Sequence, residues 1–158
     1  DTNLPQGQVF DESNKEEFAA LTGAQELGDN LSPADQAARD LAEFFVERFG
    51  TYSTDAGSSY IDDVMPFVTP AMRNWLQQFQ AAAPARAGWF SIATAVAAIT
   101  KAPASAGGGS QVQFSLVVNR TEDSGGKKNT YQQKAIVALR QDTSGEWKVN
   151  SLFWGEKL

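Results

Sequence analysis

The chain contains neither histidine nor cysteine in 158 residues, so any chemistry it performs must come from carboxylates, tyrosines, lysines and arginines. The commonest neutral-pH acid/base, the thiolate nucleophile and the softer metal ligands are all missing. Asp62-Asp63 is an adjacent acid pair in the first half of the chain, and a carboxylate pair does acid/base work when both groups converge on one substrate. Neighbours on a helix point about 100° apart, so at most one of them can enter a given pocket. A solvated helix face is the plainer expectation. Tyr52 fits an aromatic anchor whose hydroxyl caps a loop. No catalytic residue, metal-ligand set or cofactor motif is assigned.

Two glycine runs, 107–109 and 125–126, suggest a phosphate cradle, the second being followed by Lys127-Lys128. A P-loop needs a strand before it and a helix bearing Lys and Ser/Thr after it, whereas these glycines fall between strand-patterned segments and are expected to be loop glycines. The sequons at Asn30-Leu31-Ser32 and Asn119-Arg120-Thr121 are expected to be chance matches. Four tryptophans, Trp75, Trp89, Trp147 and Trp154, are the side chains best able to line a cavity or anchor a partner, with core packing the default for each. Strict alternation sets Trp154 on the face opposite Trp147 and Phe153, so on a sheet covered on one side it is expected to be exposed unless something packs there. The candidate cavity or partner-binding residues are therefore Tyr52, Tyr60, Asp62, Trp75, Trp89 and Trp154.

The elements that must position these residues fall into two halves. From 33 to about 80 the apolar side chains recur at helical spacing, and from 88 to about 156 at strand spacing, which predicts an α+β domain. Ser32-Pro33-Ala34-Asp35 opens a helix with an N-cap, a proline at N1 and an acid against the dipole. Ala34, Ala38, Leu41, Phe45 and Phe49 form its stripe, broadened by Phe44, and Gly50 closes it as a C′ glycine. After a polar loop over 51–58, Tyr60 to Met65 fits a short helix. Thr69-Pro70 starts a third helix with Met72, Trp75, Leu76 and Phe79 on one face. A small-residue connector over 81–88 leads to Phe90, Ile92, Thr94, Val96 and Ala98 on one face of a strand, where the Ala- and Thr-rich run leaves a helix as the alternative. Beyond a flexible loop over 102–110, Val112, Phe114, Leu116 and Val118 alternate inward. Ser124-Gly125-Gly126 turns the chain into Tyr131 to Leu139, and Asp142 to Gly145 turns it again into Trp147, Val149, Ser151 and Phe153. The expectation is a four-stranded antiparallel meander, one domain over 32–158, behind a polar leader over 1–31.

Composition narrows the partners. A hydrophobic content of 42% with 10 Phe supports a full core. Thirteen basic against 19 acidic residues give a net charge of −6, and no basic cluster exceeds Lys127-Lys128, so nucleic acid is not an expected partner. The longest apolar-leaning run, 87–99, falls well short of the roughly 20 residues that span a bilayer. Starting at Asp1 rather than Met is what processing behind a signal or anchor would leave, and a cut inside a cytoplasmic protein would look the same.

The closing strand Gly145-Glu146-Trp147-Lys148-Val149-Asn150-Ser151-Leu152, behind a helical first half, resembles the nuclear transport factor 2-like, or cystatin-like, α+β cone. Helices first and strands after resembles most the branch found in bacterial conjugation and type IV secretion machines. Phe49-Gly50-Thr51-Tyr52-Ser53 and Met65-Pro66-Phe67-Val68-Thr69-Pro70-Ala71-Met72 are similar to segments of anchored bacterial proteins of this layout. The resemblance implies a non-enzymatic, extracytoplasmic scaffold with protein partners or self-association, anchored upstream of residue 1, and no cofactor. Enzymes of the same fold use Asp, His or Tyr in the cone, so a small-ligand-binding or isomerase/lyase-like domain is the alternative that the resemblance leaves open.

Overall fold

A computed structural model of the chain describes residues 31–82, 88–102 and 110–158. The polar leader over 1–30, connector residues 83–87 and loop residues 103–109 lie outside the described residues. Helix α1 spans Pro33–Phe49, and Ser32 caps it by accepting the Asp35 N–H at 3.1 Å on its Oγ. Its buried side is Ala38, Ala42, Phe45, Val46 and Phe49. That stripe is turned from the expected one: Ala34 is exposed, Leu41 only partly buried, and Phe44 is 41% exposed instead of widening the core face.

Gly50 ends α1 for a reason other than the one its position suggests. Its φ is −83°, so the left-handed conformation of a C′ glycine is absent. A Cβ there would sit 2.7 Å from the Val46 carbonyl oxygen and 2.8 Å from Thr94 Oγ1, so glycine is required because the last turn of the helix and the Thr94 side chain of a neighbouring strand leave no room for a side chain.

The segment expected to be loop begins with strand β1, Tyr52–Ser53. Two residues are too short to show alternation, and pairing with Ile92 and Ser91 defines the strand instead. Helix α2, Ser59–Asp62, and a single 3₁₀ turn, Met65–Phe67, lead to helix α3, Pro70–Ala82. Thr69 caps α3 by accepting the Met72 N–H at 3.2 Å and donates its own hydroxyl to Asn150 Oδ1 at 2.8 Å. The cap therefore also fastens the helix to the last strand.

Strands β2 (Phe90–Lys101), β3 (Gln111–Ser124), β4 (Lys127–Gln141) and β5 (Trp147–Lys157) follow. With β1 they make one antiparallel sheet in the order β1-β2-β3-β4-β5. The meander is as expected, with one additional short edge strand. Helix α1 lies across the concave side, and its apolar stripe joins Val112, Phe114, Leu116, Val118, Ala135, Val137 and Leu139 in one core.

Of three register shifts among the described residues, at Val96/Ala98, Gln133/Ala135 and Ala138/Leu139, the first and the last correct the alternation. Between Val96 and Ala98 the pairing slips, so that Ile99 rather than Ala98 comes opposite Leu116 and packs on the core. Between Ala138 and Leu139 the partners jump from Ser151 to Val149. Val149 and Leu152 are consequently both buried, and Trp154 packs against the core instead of facing away from it. An extra residue in one strand exchanges its faces beyond the bulge.

Candidate functional site

The inward positions of β3 run Val112, Phe114, Leu116, Val118 and then Arg120. Arg120 continues the apolar row as a charge and is only 8% exposed. It pairs across the sheet with Thr94 on β2 and Tyr131 on β4, so the row Thr94–Arg120–Tyr131 crosses the concave face. Arg120 Nε donates to Thr94 Oγ1 at 3.0 Å, Nη1 donates to Gln133 Oε1 at 3.0 Å, and Nη2 reaches the Gly50 carbonyl oxygen at 3.4 Å. Thr94 passes the contact on, donating its hydroxyl to the same Gly50 oxygen at 2.6 Å. The guanidinium carbon lies 4.1 Å from the centre of the Trp154 ring, in cation–π contact. Gln133 is itself held, its Nε2 donating to the Gly155 carbonyl at 2.9 Å. One side chain thus ties the end of α1 to β2, β4 and β5.

Around this arginine stand the other ionisable groups. The Tyr131 hydroxyl donates to Glu122 Oε2 at 2.6 Å, and Lys157 Nζ lies 4.3 Å from the Tyr131 ring centre. Burial, and then the bond to Glu122, push the Tyr131 phenol up to about 12. Burial lowers the Arg120 pKa from its ordinary value, and the nearby Tyr131, Tyr52 and Glu122 act against that shift. Burial also raises Tyr60, with Tyr52 adding to the effect. Guanidinium and phenol both keep their protons at neutral pH, so Arg120 and Tyr131 act as fixed hydrogen-bond donors and do not shuttle protons. Among the described residues no group of three or more acids could hold a metal ion.

Of the residues singled out in the sequence, Tyr52, Tyr60 and Trp154 come to this region. Tyr52 and Tyr60 stack with ring centres 4.5 Å apart, Tyr52 sits in the rung of Ile92 and Glu122 next to Arg120, and Trp154 packs under the guanidinium. Asp62 lies elsewhere, exposed at the end of α2. Trp75 is buried in the helical layer, stacked on Phe79 at 5.5 Å, and its indole N–H has no hydrogen-bond partner among the described residues. Trp89 is 43% exposed and donates to Asp55 Oδ2 at 3.0 Å. In the sequence Arg120 stands out only as the middle of a sequon. A lone charge at an inward position after four alternating apolar residues was the signal available.

A second surface lies on the helical side. Phe44 and Phe67 are both about 40% exposed and meet edge to face with ring centres 5.3 Å apart. Exposed Pro66 borders Phe67, its carbonyl accepting from Lys148 Nζ at 3.0 Å. The Arg48–Asp63 ion pair, at 2.8 Å, joins α1 to the end of α2.

No family model matches the chain, and no curated protein sequence does either. Solved structures do match. The VirB8 protein of Agrobacterium tumefaciens superposes with a TM-score of 0.60 at 17% identity, over 80% of this chain and 95% of its own. CagV, a VirB8 homologue of the type IV secretion system of Helicobacter pylori strain 26695, gives 0.58 at 7% identity, over 77% of this chain and 98% of its own. A nuclear transport factor 2-like protein involved in plasmid conjugation matches at 0.48 and 11% identity, over 74% of this chain and 47% of its own. With helices first, a curled antiparallel sheet after and α1 in the concavity, the chain has the α+β nuclear transport factor 2-like fold seen in the VirB8 components of type IV secretion systems.

Proposed function

We propose that this domain is a non-enzymatic, extracytoplasmic interaction module of a bacterial envelope assembly that serves conjugation or type IV secretion. The observation that carries the reading is the extent of the likeness: two secretion-system domains are matched over 95% and 98% of their own lengths. The chemistry of the chain supports it. The buried Arg120 is held by neutral acceptors on Thr94 and Gln133, and Asp62, the acid most open to a catalytic reading, is exposed. The exposed Phe44–Phe67 pair offers an aromatic face for a protein partner or a second copy of the chain, since aromatic side chains are enriched where proteins bind one another. No helix among the described residues is long and apolar enough to cross a membrane.

Location is directly testable because the chain has no native cysteine. A Ser124→Cys variant in the exposed β3–β4 hairpin, expressed in its host, should be labelled in intact cells or spheroplasts by a maleimide that cannot cross the cytoplasmic membrane. Labelling only after lysis would contradict the extracytoplasmic assignment.

A further inference from the structure

We infer that Arg120 anchors an anion site, one that takes a small carboxylate carrying a flat apolar body. Arg120 is 8% exposed, yet among the described residues no ion pair within 4.0 Å includes it. Buried cations ordinarily meet an anion, because a desolvated charge left uncompensated is costly. Its three hydrogen bonds run to neutral oxygens on Thr94, Gln133 and Gly50, and these fix the orientation without cancelling the charge. A guanidinium carries five N–H groups. Those three contacts leave one N–H on each Nη nitrogen for a further acceptor such as a carboxylate.

The neighbouring groups set what can approach. Glu122, the acid in the adjoining rung, has its Oε2 taken up by the Tyr131 hydroxyl at 2.6 Å. Tyr52 stands in the Ile92–Glu122 rung beside that of Arg120 and packs with Tyr60 at 4.5 Å and Phe90 at 6.3 Å. An aromatic wall beside a buried cation that has no close ion pair selects an aromatic or otherwise flat carboxylate over a bare inorganic ion. The inference does not depend on the assembly role, and either can fail alone.

The test uses the whole chain with two probes of one shape, benzoate and benzamide, at matched ionic strength. Arg120 Nε–H and the Trp154 indole N–H are followed by NMR. Benzoate should shift both resonances saturably, and benzamide should bind at least about tenfold more weakly, equivalent to about 1.4 kcal/mol. Arg120→Gln should lose the benzoate response. Arg120→Lys, which keeps the cation but not the fork, should bind more weakly while still preferring benzoate, and it serves if the glutamine variant does not fold. Equal responses to the two probes, no movement of the Arg120 signal with benzoate, or a lysine variant without the preference would each overturn the assignment.

Discussion

Gly50 joins the helical layer to the sheet, and replacing it by alanine gives the most quantitative test of the packing. The new Cβ would lie 2.7 Å from the Val46 carbonyl oxygen, 2.8 Å from Thr94 Oγ1 and 3.0 Å from Thr94 Cβ. The first of these is backbone in the last turn of α1, so residue 50 has to shift within that turn, and the two Thr94 contacts are relieved only if β2 also moves away from the helix end. That movement lengthens the 2.6 Å bond from the Thr94 hydroxyl to the Gly50 carbonyl and draws Thr94 from Arg120 Nε. Overpacking costs about 1–3 kcal/mol and a weakened buried hydrogen bond about 1 kcal/mol more. The expected total is about 2–4 kcal/mol, a drop of roughly 5–15 °C in Tm for a domain of this size. Thermal melts followed by circular dichroism, with urea titrations for the free energy, measure it. Gly50→Asn separates the causes: asparagine is tolerated at a left-handed helix end, but close approach penalises it as it does alanine. An unchanged Tm in Gly50→Ala, or a wild-type Tm in Gly50→Asn, would refute the close-approach argument.

Ser32→Ala should cost about 1 kcal/mol through the lost N-cap, and Thr69→Ala more than that, because Thr69 also holds Asn150; equal losses in urea titrations would show that the tie to β5 contributes nothing. Tyr131 should ionise with a midpoint near pH 12, against the ordinary 10.0, as read from ultraviolet difference spectra of wild type and Tyr131→Phe. Because the folded state holds that proton more tightly, the contribution of Tyr131 to stability is complete below about pH 10 and is lost as the pH rises toward 12. An ordinary midpoint for Tyr131 would mean that the phenol is neither buried nor bonded to Glu122. Asp62→Asn should leave stability within about 0.5 kcal/mol, since the carboxylate is exposed; a loss of several kcal/mol would reveal a partner that the fold does not show.

Long periodic elements were legible in the sequence and short or interrupted ones were not. The Ser32 and Thr69 caps, the two long helices and the β2–β5 meander follow from capping chemistry and from periods of 3.6 and 2. Strand β1 escaped because Tyr52–Ser53 owes its conformation to pairing with β2. The inward turn of Trp154 escaped because the β-bulge before Ser151 leaves no mark in an alternation pattern. Gly50 was seen as a helix terminator, while the contact that requires glycine comes from Thr94, far along the chain. For the site, Tyr52, Tyr60 and Trp154 were accessible as large side chains without evident roles. Arg120 was hidden because its partners lie on four other segments, and only the three-dimensional register brings a buried charge together with Thr94, Gln133, Gly50 and Trp154.

The central claim is that the domain works by contact with other envelope components, and site-specific photo-crosslinking from position 67 in the native host tests it most directly. With a photoreactive phenylalanine in place of the exposed Phe67, next to Phe44, the account predicts a discrete crosslink to a component of a conjugation or type IV secretion assembly or to a second copy of this chain. The crosslink should disappear when Phe44 is replaced by glutamate and should be absent when the probe sits at exposed Lys127 on the far hairpin. No crosslink from position 67, or the same products from both positions, would contradict it.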